Sequence, residues 1–408
     1  MKNEKKIKIL FLGTLTSDEQ NKIFLFKGIR PAPADIVQKY LIDGFIEDDR
    51  VEEIYFLGSP RISAYPNNKI LKVKDEKWTI KKGKVDSLGY FNFPIIGFKE
   101  REIKLIKKAK KWVQNQKNSE IYAIIYSMHS PFLAAIKAIK EINPEIKTLL
   151  IVPDLPQYMG EFNFIKKILK KLDMIRINKL LSYIDKYALY TKYMAEYLNL
   201  QDNWIVFEGL MDTDKISLES FKKVKKNVCV YAGSLDKKYA IGTLIEAFSK
   251  IDNAELHLYG KKSEADILIN EYKNIKNIKY MGILSQEEIF KVMKDARLLV
   301  NPRPSSLELT KYSCPSKTFE YIASGTPVVM NKLAGLPEEY YPYIYFFEEE
   351  DVNGFRKKIK DILSKTDEEL YDFAKNGKIF LKEYKNNIYQ AKKILDFITR
   401  EDKNNEKK

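Results

Sequence analysis

Residues 315–329 read PSKTFEYIASGTPVV, a stretch that contains the start of a helix, its end and the strand that follows. Pro315 and Ser316 are residues that favour the first positions of a helix, and Gly325 is typical of the position just after the last turn. Pro327 then precedes an apolar, β-branched run. A helix followed by a short buried strand is typical of a parallel α/β sheet.

The same alternation extends in both directions along the chain. Short apolar runs separated by longer helical patterns form one series, at 7–13, 52–58, 121–128, 148–154, 186–191 and 204–209. After a lysine-rich connector a second series follows, at 227–233, 254–260, 277–282, 296–303 and 326–331. We therefore predict an α/β protein with two doubly wound Rossmann-like domains facing across a cleft.

The predicted domains are an N-terminal Rossmann-like one over 1–209 and a C-terminal Rossmann-like one over 210–385. A C-terminal helix and charged tail over 386–408 can pack back on the N-terminal domain. Ligands of open α/β sheets bind at the carboxyl ends of the strands, so the function is expected in the cleft.

The composition is that of a globular protein rather than a disordered or fibrous one. The chain has 408 residues, of which 45% are hydrophobic. Cys229 and Cys314 cannot form a disulfide framework, which indicates a reducing, intracellular environment, and only two histidines argue against a zinc site. The N-terminus is predicted to be a strand, not a signal peptide, because Lys8 interrupts its short apolar stretch. No run of about 18 apolar residues occurs, which argues against a membrane span.

The positive charge is concentrated in the N-terminal half. The net charge is +15, of which the first 200 residues contribute +13. Segment 162–181 has an apolar stripe beside a lysine-rich face, which fits equally a helix on an anionic membrane and a solvated surface helix. For 101–111 we favour the solvated surface helix. No nucleic-acid-binding motif is present. The lysines predicted to face the membrane are Lys166, Lys167, Lys170 and Lys171.

The helix that starts near Ser316 carries the most informative charges. Its N-terminal N–H groups, together with Lys317, could hold a diphosphate, and Glu320 could accept hydrogen bonds from a ribose. The alternative is a capped helix whose Lys and Glu are merely solvated.

The helix that starts near Ser316 and the strand after it resemble those of a known family. PSKTFEYIASGTPVV resembles the donor-binding helix of family 4 glycosyltransferases, which are retaining enzymes of the GT-B fold. Segments 228–248, 254–260 and 283–302 resemble other parts of the same donor domain, so the resemblance covers roughly 205–345. It is weaker over the N-terminal half, where it rests on 127–132 and 186–198. The NPR and PSK patterns resemble bacterial surface-polysaccharide synthesis members.

The resemblance implies that the domain over 1–209 binds the acceptor and that the domain over 210–385 binds the nucleotide-sugar donor. Glu320 would bind the nucleotide ribose, and the family's second Glu, which contacts the donor sugar, is replaced by Tyr312. Ser234 replaces a common Arg, and Tyr239 replaces a common Lys, so other cations must meet the phosphate charge. The remaining residues assigned to the donor by this resemblance are Gly233, Ser313, Pro315 and Ser316, with Arg303, Lys317, Lys237 and Lys238 as the phosphate-binding candidates.

His129 and Asp154 are candidates for the acceptor side, because each follows a predicted strand. The family has a histidine in a similar place that contacts the donor sugar or the acceptor, so we assign His129, with Glu320, to the catalytic site. Asp154 could orient an acceptor hydroxyl or could be a turn residue. Ser130 and Pro131 are predicted as N-cap and first residue of the next helix. The long loop 13–35 is predicted to line the acceptor site through Gly13, Gly28 and Arg30.

We predict no essential metal and no cofactor. Asp212 and Asp214 resemble the Asp-x-Asp metal motif of the other glycosyltransferase fold, but they follow a strand at the interdomain connector and are interpreted as linker.

The sequence thus predicts a cytoplasmic, membrane-peripheral, retaining glycosyltransferase. It would move a sugar from a nucleotide-sugar, UDP-linked by preference, to a lipid-linked or growing glycan acceptor in cell-surface polysaccharide synthesis, without nucleic acid as a partner. One alternative is a nucleotide-sugar 2-epimerase, disfavoured because only one cleft histidine is available for acid–base chemistry. The other is a basic membrane-binding scaffold with a vestigial donor site.

Overall fold

The computed structural model describes residues 6–27, 29, 33–116, 119–158, 164–210, 227–261, 275–314 and 316–400. The chain divides into two compact units. The first consists of Met1–Leu210 together with Asn387–Lys408, and the second is Met211–Asn386.

Helices account for much of both units. In chain order the described helices are α1 (Asp18–Phe26), α2 (Pro33–Glu47), α3 (Pro94–Gln114), α4 (Ser130–Lys140), α5 (Phe164–Leu180), α6 (Tyr193–Tyr197), α7 (Ile241–Phe248), α8 (Gln286–Asp295), α9 (Ser316–Ser324), α10 (Val352–Leu363), α11 (Asp367–Tyr384) and α12 (Asn387–Thr399). None of the described helices is both long enough and apolar enough to cross a bilayer.

The strands lie between these helices. In chain order they are β1 (Ile7–Gly13), β2 (Val51–Gly58), β3 (Lys72–Val73), β4 (Glu76–Ile80), β5 (Gly83–Ser87), β6 (Tyr90–Phe91), β7 (Glu120–Tyr126), β8 (Lys147–Val152), β9 (Lys186–Leu189), β10 (Trp204–Val206), β11 (Val228–Ala232), β12 (Glu255–Tyr259), β13 (Ile278–Gly282), β14 (Leu298–Asn301), β15 (Val328–Met330) and β16 (Tyr345–Phe346). Every strand predicted from the two series of apolar runs is present.

The first unit is built on a sheet of eight described strands in the order β10-β9-β8-β7-β1-β2-β5-β4. All neighbours pair in parallel except β4, which runs antiparallel to β5 at one edge. Central strands such as β7 are buried along nearly their whole length, as parallel strands covered by helices on both faces must be. The sequence analysis missed β3 to β6, because they are short and their side chains alternate between buried and exposed.

The last helix of the chain, α12, belongs to the first unit. Gln390 donates a hydrogen bond of 2.6 Å to the carbonyl of Glu208. Lys186 is nearly buried and donates to the carbonyls of Phe397 and Arg400, at 3.1 and 2.6 Å, so a cation closes the carbonyl end of the helix. These contacts tie residues at the two ends of the chain into one core.

The second unit is built on six described parallel strands in the order β13-β12-β11-β14-β15-β16. Alternate residues of β11 point to opposite faces, and each face packs against its own apolar cluster. α7 and α10 contribute to one cluster, and α9 and α11 contribute to the other. Gly325 follows α9 with a φ of +80°, which explains the glycine at that position.

Two local predictions were wrong. The segment 13–35 is not one long loop, because α1 lies within it and is capped by the Ser17 side chain, which accepts a hydrogen bond from the Gln20 N–H. The N-cap of α4 is His129 rather than Ser130, whose hydroxyl instead donates to Asp173 at 2.6 Å.

Candidate functional site

The strand order of the second unit places a topological switch point between β11 and β14. From β11 the chain continues on one side to β12 and β13, and then returns to the other side of β11 as β14. Ligands of open α/β sheets bind beyond the carboxyl ends of strands at such a point. Gly233 directly follows β11, and Arg303 lies two residues after β14.

Lys317, in the first turn of α9, extends toward Gly233. Its Nζ lies 5.8 Å from the centroid of the Tyr231 ring. A Cβ atom on Gly233 would lie 2.5 Å from that Nζ and 2.4 Å from the Tyr231 hydroxyl, so a side chain at 233 would displace one of them. The absence of a side chain at Gly233 therefore leaves room for the ammonium group of Lys317.

The backbone of Arg303 is held in the same region by the buried side chain of Asn331. The side-chain amide of Asn331, which is 1% exposed, donates to the carbonyls of Pro302 and Arg303, each at 3.1 Å. The Arg303 guanidinium carbon lies 5.7 Å from the centroid of the Tyr239 ring, and one terminal nitrogen lies 3.4 Å from the Ser313 hydroxyl. Its buried Nε has no hydrogen-bond partner among the described residues.

Among the described residues, Lys317 and Arg303 are two cations without an anionic partner. Desolvation lowers the pKa of Lys317, and the positive charge of Arg303 lowers it further, although Glu320 acts in the opposite direction. Desolvation also lowers the pKa of Arg303. Within the part of the chain that the structure describes, neither forms an ion pair. Two desolvated cations of this kind are expected to attract an anion of high charge.

The other predicted donor residues differ in how close they come to this pair. Glu320 is half-buried on α9, and one of its oxygens lies 3.4 Å from the side-chain nitrogen of Gln286. Tyr312 is half-buried, and Ser313 donates its hydroxyl to the Leu309 carbonyl at 2.8 Å while it faces Arg303. Ser316 is the first residue of α9, and Pro315 lies outside the described residues.

The loop after Gly233 carries two further lysines that were predicted to bind phosphate. Ser234 is exposed, and its carbonyl accepts a hydrogen bond of 2.8 Å from the Tyr231 hydroxyl. Lys238 is paired with Asp236 at 3.1 Å, and its Nζ lies 5.4 Å from the centroid of the Tyr239 ring, which Arg303 also contacts. Lys237 is exposed. Lys238 therefore lies near the Arg303 side of the site, but its charge is balanced by Asp236.

The first unit has a comparable switch point between β1 and β7. Gly13 ends β1, but a Cβ there would lie 2.0 Å from the Gln38 side-chain oxygen, which accepts the Thr14 N–H, so this glycine serves packing. After β7 the chain turns sharply at Ser127, whose φ is +80°, and then reaches His129 at the start of α4.

His129 is half-buried among aromatic rings and beside two arginines. Its ring centroid lies 5.9 Å from that of Phe98 and 5.0 Å from that of Phe132, both in edge-to-face geometry. Burial lowers the pKa of His129 well below its usual value, and the positive charges of Arg101 and Arg61 add to this effect. His129 is therefore neutral at pH 7.

Asp154 lies just after β8, with its carboxyl group among these polar groups. Desolvation raises the pKa of Asp154, and the charge of Arg61 partly opposes the rise.

Gly28 and Arg30 lie outside the described residues, as do Asp212 and Asp214. In the lysine-rich segment 162–181, α5 is present, and its residues Lys167 and Lys171 are exposed. Lys166 is placed on the same helix.

The sequence analysis missed several residues that build these sites. Tyr231, Tyr239 and Asn331 support the cations of the second unit, and Arg61 and Arg101 surround His129 in the first. Asn331 is the last residue of the strand predicted at 326–331, and Arg61 follows the strand predicted at 52–58 within a few residues, so their positions at strand ends were a usable signal. For Arg101 the sequence offered only a basic helix.

A family model described as "Glycosyl transferases group 1" matches residues 212–380. This range lies within the second unit. Residues 212–380 form a glycosyl transferase group 1 domain. The chain is therefore an enzyme of the glycosyltransferase class, as the sequence predicted. No curated protein matches the chain significantly in sequence.

The similarity to solved structures covers nearly the whole chain and not only the group 1 domain. A UDP-forming α,α-trehalose-phosphate synthase from Burkholderia xenovorans, in complex with glucose-6-phosphate, has a TM-score of 0.62 at 10% identity, over 96% of this chain and 100% of that chain. Sucrose-phosphate synthase from Thermosynechococcus elongatus has a TM-score of 0.60 at 12% identity, over 96% and 98%. Anabaena HepE, in complex with UDP and glucose, has a TM-score of 0.55 at 13% identity, over 96% and 99%.

At such low identity the likeness shows the fold alone. It confirms the predicted fold class, an α/β protein with two Rossmann-like domains of the GT-B type.

Proposed function

We propose that the chain is a retaining glycosyltransferase that transfers the sugar of a nucleoside diphosphate-sugar donor, by preference a UDP-sugar. The acceptor would be lipid-linked or a growing glycan of the cell surface. The observation that carries the proposal is the pair of desolvated, unpaired cations, Arg303 and Lys317, at the switch point of the group 1 domain. A diphosphate supplies the negative charge that this pair lacks.

The residues of the group 1 domain suit the parts of such a donor. Arg303 and Lys317 would bind the diphosphate, while the space over Gly233 admits it close to the backbone. Glu320, one turn after Lys317, would accept hydrogen bonds from the ribose hydroxyls. The choice of UDP is supported by similar structures, one of a UDP-forming synthase and one with bound UDP.

In the proposed reaction the bond between the anomeric carbon of the donor sugar and the β-phosphate oxygen breaks. A new bond joins that carbon to an acceptor hydroxyl oxygen, on the same face of the sugar. The hydroxyl proton passes to the departing diphosphate, so no metal or protein nucleophile is required. Arg303 and Lys317 stabilise the negative charge that develops on the diphosphate, which lowers the barrier to its departure.

A membrane-borne acceptor is supported by the surface of α5. Four of its apolar residues have side chains roughly half exposed, namely Ile168, Leu169, Leu172 and Ile175. They lie on the same helix as Lys167 and Lys171, which are exposed as well. Apolar residues flanked by lysines are typical of a helix that lies in the interface of an anionic membrane.

The apolar surface continues on α3. Arg176 of α5 pairs with Glu102 of α3 at 2.7 Å, so the two helices are neighbours. Ile95, Ile96 and Ile103 of α3 are 68%, 61% and 65% exposed. We therefore propose that both helices contact the cytoplasmic face of a membrane, although 101–111 alone was interpreted as a solvated face.

The donor assignment is tested by titration calorimetry with UDP, GDP, ADP, dTDP and CMP. We expect selective binding of UDP by the wild-type chain and a loss of about tenfold to a hundredfold in affinity for Arg303→Met or Lys317→Met. Lys357→Met, an exposed lysine of α10 in the same unit, is the matched control. Equal affinity in all variants, or selectivity for another nucleotide, would refute the assignment of the site or of the base.

Turnover separates a transferase from the alternatives. Incubation with UDP-sugars should release UDP and the free or transferred sugar, and the release should be lost in Glu320→Ala. Formation of the 2-epimer of the donor would instead identify an epimerase, and binding without turnover would favour the scaffold.

Membrane association is tested by co-sedimentation with vesicles of phosphatidylcholine containing or lacking phosphatidylglycerol. Binding should require the anionic lipid and should fall in Leu172→Glu, while Ile388→Glu, an equally exposed residue of α12, should bind as the wild type does. Binding that is independent of anionic lipid, or equal in both variants, would contradict this part of the proposal.

A further inference from the structure

Arg61 and Arg101 of the first unit share one structural support, the side chain of Tyr90. The Arg101 guanidinium carbon lies 4.5 Å from the centroid of the Tyr90 ring. The hydroxyl of the same tyrosine donates a hydrogen bond of 3.0 Å to the carbonyl of Pro60, the residue before Arg61. Tyr90 is 2% exposed, so its position is fixed by the core.

The loop that bears Arg61 is held at further points. It follows β2, and the side-chain amide of Asn92 donates to the carbonyls of Ser63 and Ile70 at 2.9 and 3.0 Å. Asn92 is 2% exposed, so a buried amide fixes the loop at both of its ends. Arg61 itself is exposed, and its backbone is positioned independently of its side chain.

Arg101 is positioned from α3. Its Nε donates to the Gly97 carbonyl at 3.1 Å, which leaves the two terminal nitrogens of the guanidinium for another partner. Phe98, the next residue along α3, contacts the His129 ring. The three groups Arg61, Arg101 and His129 therefore lie around the carboxyl end of β7, at the switch point of the first sheet.

The charge of this cluster is not balanced. Neither arginine forms an ion pair with any of the residues that the structure describes. The carboxylate of Asp154 senses Arg61 electrostatically but is not paired with it. Arg101 is half-buried, and both desolvation and the nearby charge of Arg61 lower its pKa, so an anion that contacts both guanidinium groups would relieve their repulsion.

We propose that Arg61 and Arg101 bind a phosphate group carried by the acceptor, and that His129 contacts the same group or the adjacent sugar. The acceptor is thus a phosphorylated sugar or a glycan on a lipid phosphate, not a neutral oligosaccharide. This proposal rests on the proposed function and names the substrate class of its acceptor site. Phosphate fits better than a single carboxylate, because its two negative charges match two guanidinium groups that each form paired hydrogen bonds.

The test uses the full chain with its donor site filled by saturating UDP, so that added phosphate compounds report on the first unit. Glucose 6-phosphate and dihexanoyl phosphatidate are titrated separately, with glucose as the uncharged reference. Binding of both identifies a general phosphate site, while binding of only one shows whether a sugar ester or a lipid headgroup is its source. Glucose should not bind measurably in the same range.

Arg61→Gln and Arg101→Gln should each weaken phosphate binding by about tenfold, the loss expected for one charge-assisted pair of hydrogen bonds. UDP affinity should be the same in these variants. Lys69→Gln, an exposed lysine in the same loop as Arg61, is the matched control and should bind as the wild type does. Because Arg61 is exposed, its variant is expected to fold even if Arg101→Gln does not.

Two results would overturn this inference. One is the absence of phosphate binding by a wild-type chain that binds UDP, and the other is phosphate binding that survives both arginine substitutions. Failure of the wild-type chain to bind UDP would instead contradict the proposed function, so the two failures are distinguishable.

Discussion

Replacement of Gly233 by alanine should weaken donor binding and should also lower the stability of the second unit. The added methyl group would lie 2.5 Å from Lys317 Nζ, and 2.4 and 2.6 Å from the hydroxyl oxygen and the ring carbon Cζ of Tyr231. Tyr231 is 4% exposed and its hydroxyl donates to the Ser234 carbonyl, so its ring has little room to move. The flexible lysine should therefore swing away and remove its charge from the diphosphate, while the tyrosine ring shifts by a smaller amount.

The size of the effect follows from the contact that is lost. A hydrogen bond to a charged group contributes about 1.5–3 kcal/mol, which corresponds to a loss of about tenfold to a hundredfold in affinity for UDP. The free energy of unfolding should fall by about 1–3 kcal/mol, because the methyl group overpacks the buried ring of Tyr231. The backbone of Gly233 is not in the left-handed region, so it adds no further strain.

The assay is a double-mutant cycle with Lys317→Met, measured by titration calorimetry with UDP and by urea unfolding. If Gly233 acts through the lysine, the double variant should bind UDP no more weakly than Lys317→Met alone. Additive losses would show that the glycine acts independently of Lys317. Unchanged UDP affinity in Gly233→Ala would show that the lysine does not bind the diphosphate from this position.

Three further predictions concern other parts of the two units. Asn331→Ala should lower the free energy of unfolding by about 1–3 kcal/mol in urea titrations, because two buried carbonyls lose their donor, and UDP affinity should fall with it as Arg303 shifts. Lys186→Met should destabilise the first unit and increase hydrogen exchange in α12, whose last carbonyls it would leave without a donor; exchange that stays as slow as in the wild type would contradict this. UDP affinity should fall as the pH rises through the pKa of Lys317, which desolvation lowers below its ordinary value, so the fall begins at a lower pH than for an exposed lysine; Lys317→Arg should abolish this dependence up to pH 10, as followed by calorimetry.

Most of the fold was predictable because the strands of a parallel sheet are buried on both faces. Runs such as 121–126 are apolar without interruption, which makes them visible in a sequence of mixed composition. The antiparallel edge strand Glu76–Ile80 alternates between half-buried and exposed side chains, so its apolar signal is diluted. The helix Asp18–Phe26 was missed for a similar reason, because few of its residues are buried.

The donor residues were predicted from a motif, and the structure distinguishes those whose charge is paired from those whose charge is not. Arg303 and Lys317 both lie in the connection between β14 and β15, and Gly233, which is distant in sequence, lies beside them because β11 and β14 are neighbours. Lys238 was predicted to bind phosphate on the same grounds, but it forms an ion pair with Asp236, two residues earlier. Sequence reasoning could list the cations, but which of them lacks a counter-charge depends on side-chain packing.

The basic segment 101–111 shows why counting charges cannot locate an anion site. Arg101 and Lys107 contribute equally to the net charge of the segment, but Arg101 points onto the ring of Tyr90. Lys108 is paired with Asp86 at 2.8 Å, and Lys104 with Glu100 at 2.9 Å, so their charges are balanced locally. The charge that can act on a ligand is the part that the fold leaves unbalanced. Lys107 also forms no ion pair with a described residue, but it is exposed to water, whereas Arg101 is half-buried and its charge acts on His129. In this helix Arg101 is therefore the cation best placed to act on a ligand.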